Sequence, residues 1–310
     1  MRFGVQLGVD TPSEPDGLVA LAALVETLPY DSLWIGDHVV IPSQIDQRAH
    51  EQGVGGQVRF SDRSAAPTSD LLTTLAFLAA VTQRVRLGTG VLVVPLRDAV
   101  VCAKMLGSID VLSRGRLEVG IGVGWIEDEF RVVGARPFAD RGAVTDEYVR
   151  TMTALWSDAR TFQPPWVPNV EVAMHPKPVQ RPRPPIWVGG NGLPALRRVA
   201  VLGDGWLPLF QQPAEIARKL GTLAELCERA GRDHEAIQVA AGYRLVWSED
   251  APVDRSPLDG TPAQMADDIG HLEEAGCDEV HLVLARPGLT VDHLREDLQR
   301  FSDEVITHFL

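Results

Sequence analysis

Residues 184–202 read PPIWVGGNGLPALRRVAVL. Ile186, Trp187 and Val188 are apolar without alternation, which is typical of a parallel strand covered on both faces. A glycine-rich turn follows, and the apolar residues beyond it recur three and four positions apart, as they do along a helix. The stretch therefore predicts one complete unit of a strand followed by a helix.

The same unit recurs along the whole chain, eight times in all. The strands are predicted at about 2–8, 32–36, 85–92, 116–121, 185–188, 204–208, 237–242 and 279–284. The helices that follow them are predicted at about 14–28, 69–82, 98–112, 141–157, 192–202, 213–230, 262–275 and 291–307. Eight parallel strands with eight covering helices close most economically into a barrel, so we predict an α/β fold, a (β/α)8 TIM barrel, as a single domain over 1–310.

Two connections are longer than a bare barrel needs, one after strand 2 and one after strand 4. The first, at about 37–67, is glycine-rich and polar, and we interpret it as a loop that could cover a site. The second, at about 158–184, is basic and rich in proline, with a short extended hairpin predicted around Phe162 and Val172. Both are predicted to be insertions into the barrel.

Composition excludes several classes of protein. The chain of 310 residues has a formal net charge of -13, which disfavours nucleic acid and anionic membrane surfaces as partners. Three widely spaced cysteines cannot build a disulfide framework, and no apolar run is long enough to span a membrane, so we expect a cytoplasmic protein. Between Glu171 and Asp204 the chain has five basic residues and no acidic one, which suggests a local anion site.

Residues directly after the strands are the candidates for chemistry, because a barrel of this type places its site there. Asp37 and His38 follow strand 2. Histidine titrates nearest to neutral pH, and an adjacent carboxylate can set its charge or orientation. The alternative is a helix-capping aspartate beside a histidine that faces solvent.

Glycines lie at the ends of strands 3 and 4. Gly90 ends strand 3, where a glycine indicates a bulge or a close backbone approach. Gly120, Gly122 and Gly124 precede Trp125 in a spacing that fits a dinucleotide fingerprint poorly, although such glycines would let a planar ring lie against the backbone.

The glycine-rich turn of the opening stretch is the strongest of these signals. Gly189, Gly190 and Asn191 expose backbone N–H groups at the start of a helix that carries Arg197. These features predict a cradle for phosphate or another anion.

These motifs resemble, in this order, those of the luciferase-like monooxygenase superfamily. They are Gly36-Asp37-His38, Arg86-Leu87-Gly88-Thr89-Gly90-Val91, Leu112-Ser113-Arg114-Gly115-Arg116-Leu117 leading to Gly120-Ile121-Gly122-Val123-Gly124-Trp125, and Pro184-Pro185-Ile186-Trp187-Val188-Gly189-Gly190. The Asp-His pair resembles the branch that uses the deazaflavin coenzyme F420. The resemblance extends over essentially the whole chain.

The resemblance implies an F420-dependent oxidoreductase that transfers a hydride between the deazaflavin C5 carbon and a small organic substrate. By position, His38 would be the acid or base near the ring, with Asp37 beside it. Gly90 and Val91 match the place where the family often has a non-proline cis peptide. The remaining residues expected to hold the cofactor are Gly122, Gly124, Trp125, Gly189, Gly190, Asn191 and Arg197.

One departure from the family concerns an acid. Some deazaflavin enzymes have a carboxylate where this chain has Trp125, so Glu127 or Asp128 would have to supply it if it is present. Three other functions stay open: a flavin mononucleotide (FMN) monooxygenase of the same superfamily, a non-catalytic cofactor-binding protein, and a hydrolase with Asp37 and His38 as metal ligands. We expect no metal, and a homodimer is a further expectation taken from the superfamily.

Overall fold

The computed structural model describes residues 1–8, 14–43, 69–164, 166–167, 169–249, 255–284 and 289–310. The strands of its central sheet are β1 (Arg2–Leu7), β2 (Ser32–Ile35), β3 (Arg86–Thr89), β4 (Leu92–Val93), β5 (Leu117–Gly122), β6 (Ile186–Gly189), β7 (Gly205–Leu207), β8 (Gln238–Arg244) and β11 (Glu279–Leu284). They lie in the order β3-β2-β1-β11-β8-β7-β6-β5-β4, and an additional pairing of β3 with β5 closes the sheet. Every pairing in this sheet is parallel.

The α-helices of the described residues are α1 (Pro15–Thr27), α2 (Leu71–Val81), α3 (Ala99–Leu112), α4 (Glu127–Val133), α5 (Arg141–Trp156), α6 (Leu193–Leu202), α7 (Pro213–Ala230), α8 (Pro262–Glu274) and α9 (Val291–Glu304). Eight of these nine α-helices of the described residues follow the barrel strands as the sequence predicts, and α4 is the additional one. Thr261 caps α8 through a reciprocal capping box with Gln264. The prediction of a (β/α)8 TIM barrel is therefore confirmed.

Three elements differ from the sequence prediction. Helix α4 and the short parallel pair β9 (Val246–Trp247) and β10 (Asp259–Gly260) were not expected. The predicted third strand is divided into β3 and β4 by a cis peptide bond between Gly90 and Val91. A Cβ atom on Gly90 would lie 3.1 Å from Trp34 Cβ, so the close backbone approach that the glycine indicated is present.

Two tryptophans fill the middle of the barrel. Trp34 and Trp187 are fully buried, and their rings meet edge to face with centroids 5.8 Å apart. A Cβ atom on Gly88 would lie 2.2 Å from Trp34, and one on Gly205 would lie 2.1 Å from Trp187. These strand glycines are therefore required by the tryptophans, which pack in the core.

A polar network lies below the tryptophans, near the amino ends of the three strands β2, β3 and β11. Glu279 accepts hydrogen bonds from Ser32 and from Arg86, the latter at 2.7 Å, and His281 Nε2 lies 3.1 Å from the same carboxylate. Burial alone would raise the pKa of Glu279, but His281, Arg86 and Ser32 together hold that pKa well below its ordinary value. His281 is thus a buried core residue of this network.

The two predicted insertions are described to different extents. Residues 44–67 of the first lie outside the described residues, so its covering role stays a prediction. The second lies between α5 and β6, where Phe162 and Val172 form an antiparallel bridge with hydrogen bonds of 2.8 and 2.9 Å. The short hairpin predicted there is thus present.

Candidate functional site

Asp37 ties the end of β2 to the segment that follows β4. Its buried carboxylate accepts two hydrogen bonds from Arg97, at 2.7 and 2.8 Å, and one of 2.8 Å from the backbone N–H of Val93. Arg97 also pairs with Asp70, the residue that caps α2, at 3.0 Å. Burial raises the pKa of Asp37, and the Arg97 guanidinium opposes this effect. The Asp37 carboxylate is therefore committed to positioning the loop.

His38 faces a carboxylate that sequence reasoning missed. Its Nδ1 lies 3.1 Å from Oε2 of Glu129, and only 9% of the His38 side chain and 2% of the Glu129 side chain are exposed. The other Glu129 oxygen accepts the backbone N–H groups of Val39, at 2.7 Å, and Val40, at 3.3 Å. The loop after β2 is thus held by Asp37 on one side and by Glu129 on the other.

The acid beside the site is therefore not one of the two that the sequence suggested. Glu127 and Asp128 are exposed, and Asp128 pairs with Arg131 on the helix surface. All three acids are adjacent in the first turn of α4, so only the rotation of that helix selects Glu129. A sequence signal exists in Phe130, because a large apolar residue beside an acid indicates the side of the helix that turns inward.

Val91 forms an apolar surface at the carboxyl ends of β5 and β6. A Cβ atom on Gly122 would lie 2.6 Å from Val91 Cγ2, and one on Gly189 would lie 2.9 Å from Val91 Cγ1. Gly90 is held from below, since the Gln6 side chain donates to its carbonyl at 2.8 Å. Val91 therefore fills the space beside Gly122, where the sequence suggested that a planar ring could lie.

Gly124 and Trp125 shape the wall between this surface and His38. Gly124 has a φ of +80°, and a Cβ atom there would lie 2.7 Å from Phe130. The Trp125 ring meets that of His38 edge to face, with centroids 6.2 Å apart. The glycine thus permits the turn that brings Trp125 beside His38.

The loop between β6 and α6 is open to an anion. Gly190 has a φ of +120°, a conformation that favours glycine. Among the described residues, the backbone N–H groups of Asn191, Gly192 and Leu193 have no hydrogen-bond partner. The Asn191 side chain is bound elsewhere, because it exchanges hydrogen bonds of 2.9 and 3.1 Å with the backbone of Leu209. Three successive free donors at a helix start fit a phosphate.

The basic stretch does not form a positive patch, contrary to the interpretation from sequence. Arg183 pairs with Asp204 at the amino ends of β6 and β7, away from the loop that follows β6. Arg198 pairs with Asp146 at 2.5 Å, and Lys177 donates to the carbonyls of Leu155 and Ala159. These basic residues are neighbours in the sequence, but in the fold Arg183, Arg198 and Lys177 each bind a different acceptor.

Arg197 is the member of this stretch that stays available near the cradle. Its side chain is exposed on α6, and it has no ion pair within the described part of the chain.

The described residues contain no group of three His, Cys, Asp or Glu side chains that could hold a metal ion. No helix in the described ranges is both long and apolar enough to cross a membrane.

One end of the barrel therefore carries an imidazole bound to a buried carboxylate, an apolar surface at Val91 and a loop with three backbone N–H groups that have no partner among the described residues. Residues 1–256 match the luciferase-like monooxygenase family. The chain belongs to this family. The fold and the order of the motifs agree with that membership, which places the chain among the luciferase-like oxidoreductases.

Two mycobacterial relatives illustrate the family. An uncharacterized protein of Mycobacterium tuberculosis is 31% identical over 264 residues, which cover 80% of this chain and 88% of the relative. The phthiodiolone/phenolphthiodiolone dimycocerosates ketoreductase of Mycobacterium bovis is 30% identical over 254 residues, covering 78% of this chain and 64% of that enzyme.

Solved structures with the same fold include proteins that use different cofactors. The coenzyme F420-dependent tetrahydromethanopterin reductase of Methanopyrus kandleri superimposes with a TM-score of 0.76 at 16% identity, covering 100% of this chain and 99% of that one. The oxygenating constituent of 3,6-diketocamphane monooxygenase from Pseudomonas putida, in complex with FMN, gives 0.74 at 15% identity, with coverage of 100% and 99%. At these identities the likeness shows the fold alone.

Proposed function

We propose that this protein is an F420-dependent oxidoreductase that transfers a hydride between the deazaflavin C5 and a small organic substrate, with His38 as the acid or base. The observation that carries the proposal is the His38 imidazole, bound through Nδ1 to Glu129 at the carboxyl ends of the strands. Interconversion of an alcohol and a carbonyl moves a proton as well as a hydride. An imidazole held in this way is suited to exchange that proton.

The described residues fit such a cofactor at two places. The N–H groups of Asn191, Gly192 and Leu193 would bind its phosphate, and Arg197 would add positive charge nearby. Val91, with Gly90, Gly122, Gly124 and Trp125 around it, would support the ring. A bound deazaflavin would supply the carbon that gives or takes the hydride.

A flavin mononucleotide monooxygenase is the second candidate, because the same N–H groups would bind either phosphate. The ketoreductase relative favours the first candidate, since reduction of a ketone needs both a hydride and a proton. The carboxylate bound to His38 favours it for the same reason. A carbonyl or the matching alcohol is accordingly the substrate class that we expect.

Titration of the purified protein with F420 and, separately, with FMN tests this choice. We expect a change in the F420 absorption spectrum and none with FMN; the reverse result would replace the proposal with the flavin monooxygenase. Gly190→Ala should weaken F420 binding at least tenfold, because the φ of +120° strains any side chain. Gly221→Ala is the matched control, since a Cβ atom there would have nothing within 4 Å.

Turnover separates the enzyme from a non-catalytic cofactor-binding protein. Oxidation of reduced F420 by a panel of small ketones should be measurable and should fall about a hundredfold or more in His38→Ala. F420 affinity should largely survive, since the cradle lies on a different loop. Binding without turnover on any ketone or alcohol tested would favour the non-catalytic alternative.

We also propose that the protein forms a homodimer through the outer face of α2 and α3. Five exposed apolar residues lie on these helices: Phe77, Val81, Val101, Met105 and Leu112. Lys104 is the one exposed charged residue within α2 and α3, whereas α9 exposes six. In a chain with a net charge of -13, a face without exposed acidic residues is where a second copy is repelled least, and a two-fold axis brings the same face together.

Sedimentation of the intact protein tests the dimer. Met105→Glu should shift the equilibrium towards monomer, because a two-fold axis would bring two buried carboxylates close together. Val201→Glu, at a residue 54% exposed on α6, is the matched control. A monomeric wild type at micromolar concentration would contradict the proposal.

A further inference from the structure

The Glu129 carboxylate has two separate tasks, one for each oxygen. Oε1 accepts the N–H groups of Val39 and Val40, so it holds the backbone of the loop after β2. Oε2 faces Nδ1 of His38 at 3.1 Å. Within the described part of the chain, His38 is the one basic side chain that pairs with this carboxylate. The two tasks can therefore be separated by a substitution that changes one oxygen.

The rotation of α4 that turns Glu129 inward is set by its neighbour. Phe130 is buried against Val93 and Leu96, and its ring meets that of Phe138 with centroids 5.1 Å apart. The helix ends at Gly134 with a φ of +70°, in the left-handed conformation that closes helices. Glu129 is thus held by the packing of α4 and not only by His38.

An ionised carboxylate only accepts hydrogen bonds, so the proton of a neutral His38 must reside on Nδ1. The lone pair of the ring then lies on Nε2. In a ring whose Nδ1 faced a donor, the proton would be on Nε2 instead, and the ring could not accept a proton there. The identity of the group beside Nδ1 therefore decides which nitrogen can take up a proton at the barrel mouth.

We infer that Glu129 is a positioning residue that fixes the Nδ1–H tautomer of His38 and so makes Nε2 the proton-exchanging atom. The inference rests on the proposed function, in which His38 exchanges a proton during turnover. It assigns the acid beside the site to α4, and it gives that acid a role that does not require contact with the substrate. The property of Glu129 that matters for this role is that its Oε2 accepts a hydrogen bond from His38 Nδ1.

Glu129→Gln tests this role with little change of shape. The amide oxygen can still accept the N–H groups of Val39 and Val40, so the loop stays held. The amide nitrogen must then donate to Nδ1, which moves the His38 proton to Nε2. Glu127→Gln, on the exposed side of the same helix, is the matched control.

The primary measurement is ¹⁵N NMR of the full-length protein with labelled histidine. The chain has 8 histidines, and the His38 signals are assigned by their loss in His38→Gln. We expect a protonated Nδ1 and an unprotonated Nε2 in the wild type and in Glu127→Gln, and the reverse in Glu129→Gln. An unprotonated Nδ1 in the wild type, or an unchanged tautomer in Glu129→Gln, would overturn the inference.

Kinetics with reduced F420 and small ketones supply the second readout. In Glu129→Gln, kcat should fall about a hundredfold while KM changes less than about threefold, and Glu129→Asp should recover part of kcat, because it restores a carboxylate. A reversed tautomer with unchanged kcat would also overturn the inference. If F420 neither binds nor turns over, the proposed function fails, whereas the NMR result still decides what Glu129 does to His38.

Discussion

The variant Gly122→Ala can distinguish between two explanations for the glycine at the end of β5. The sequence suggests that the glycine leaves room for a planar ring, whereas in the structure Val91 occupies that room. A Cβ atom on Gly122 would lie 2.6 Å from Val91 Cγ2 and 3.6 Å from Val91 Cβ. The reasoning predicts that the damage done by Gly122→Ala depends on the Val91 side chain.

The magnitude follows from the size of the overlap. Two carbon atoms pack best at about 3.5–4.0 Å, so the new methyl group lies about 1 Å too close to Cγ2. Val91 cannot simply turn away, because Cγ1 already packs against Gly189. Overpacking of this kind costs about 1–3 kcal/mol, and removal of two half-buried methyl groups in Val91→Ala costs about 1 kcal/mol.

The double variant gives the decisive comparison. With both changes, the new methyl group fills part of the space left by the valine, so unfolding free energy should fall by about 1 kcal/mol, whereas independent effects would add to about 2–4 kcal/mol. Urea unfolding followed by tryptophan fluorescence measures these values, with Gly221→Ala as the control for a change of glycine to alanine. Additive losses would refute the packing argument. An F420 titration of the stable double variant then reports whether the methyl group also obstructs the ring.

Two further predictions concern the carboxylates. The pKa of Glu279 is lower in the folded protein than its ordinary value, so the unfolded state binds more protons in acid, and the unfolding free energy should fall as the pH drops below about 4.5. Glu279→Gln should be less stable at neutral pH and lose less stability between pH 5 and pH 3, as urea unfolding at several pH values would show; an equal loss would contradict the assignment. Asp37→Asn should cost about 3–5 kcal/mol, because it leaves Arg97 with only the exposed Asp70, and thermal unfolding checks this against Asp128→Asn on the surface.

The barrel could be predicted from sequence because its signals are local. Each strand and helix has an apolar pattern of its own, as in Ile186-Trp187-Val188 and the helix after it, and parallel pairing follows from the alternation of the two. The close backbone approach at Gly90 was also indicated, because a glycine within a strand is itself a local signal. Helix α4 was missed because its seven residues carry little periodic pattern.

Prediction of the site was less complete. His38 and the loop after β6 were found because the carboxyl end of a barrel strand is a position that the sequence marks. Their roles as catalytic and cofactor-binding residues stay predictions. Glu129 and the engagement of Asp37 with Arg97 were not found, because each joins residues that lie at least 60 positions apart.

The sequence by itself determined the order of strands and helices, the barrel and the position of the candidate residues along its strands, because these depend on near neighbours and on the period of the apolar residues. Only the tertiary structure decided which groups meet. It gave Lys177, Arg183 and Arg198 separate acceptors. It also placed His281 in the core and turned Glu129 rather than Glu127 towards His38. The physical reason is that charge and hydrogen bonding act over a few ångströms of space, and the distances that matter are set by packing between elements remote in the chain.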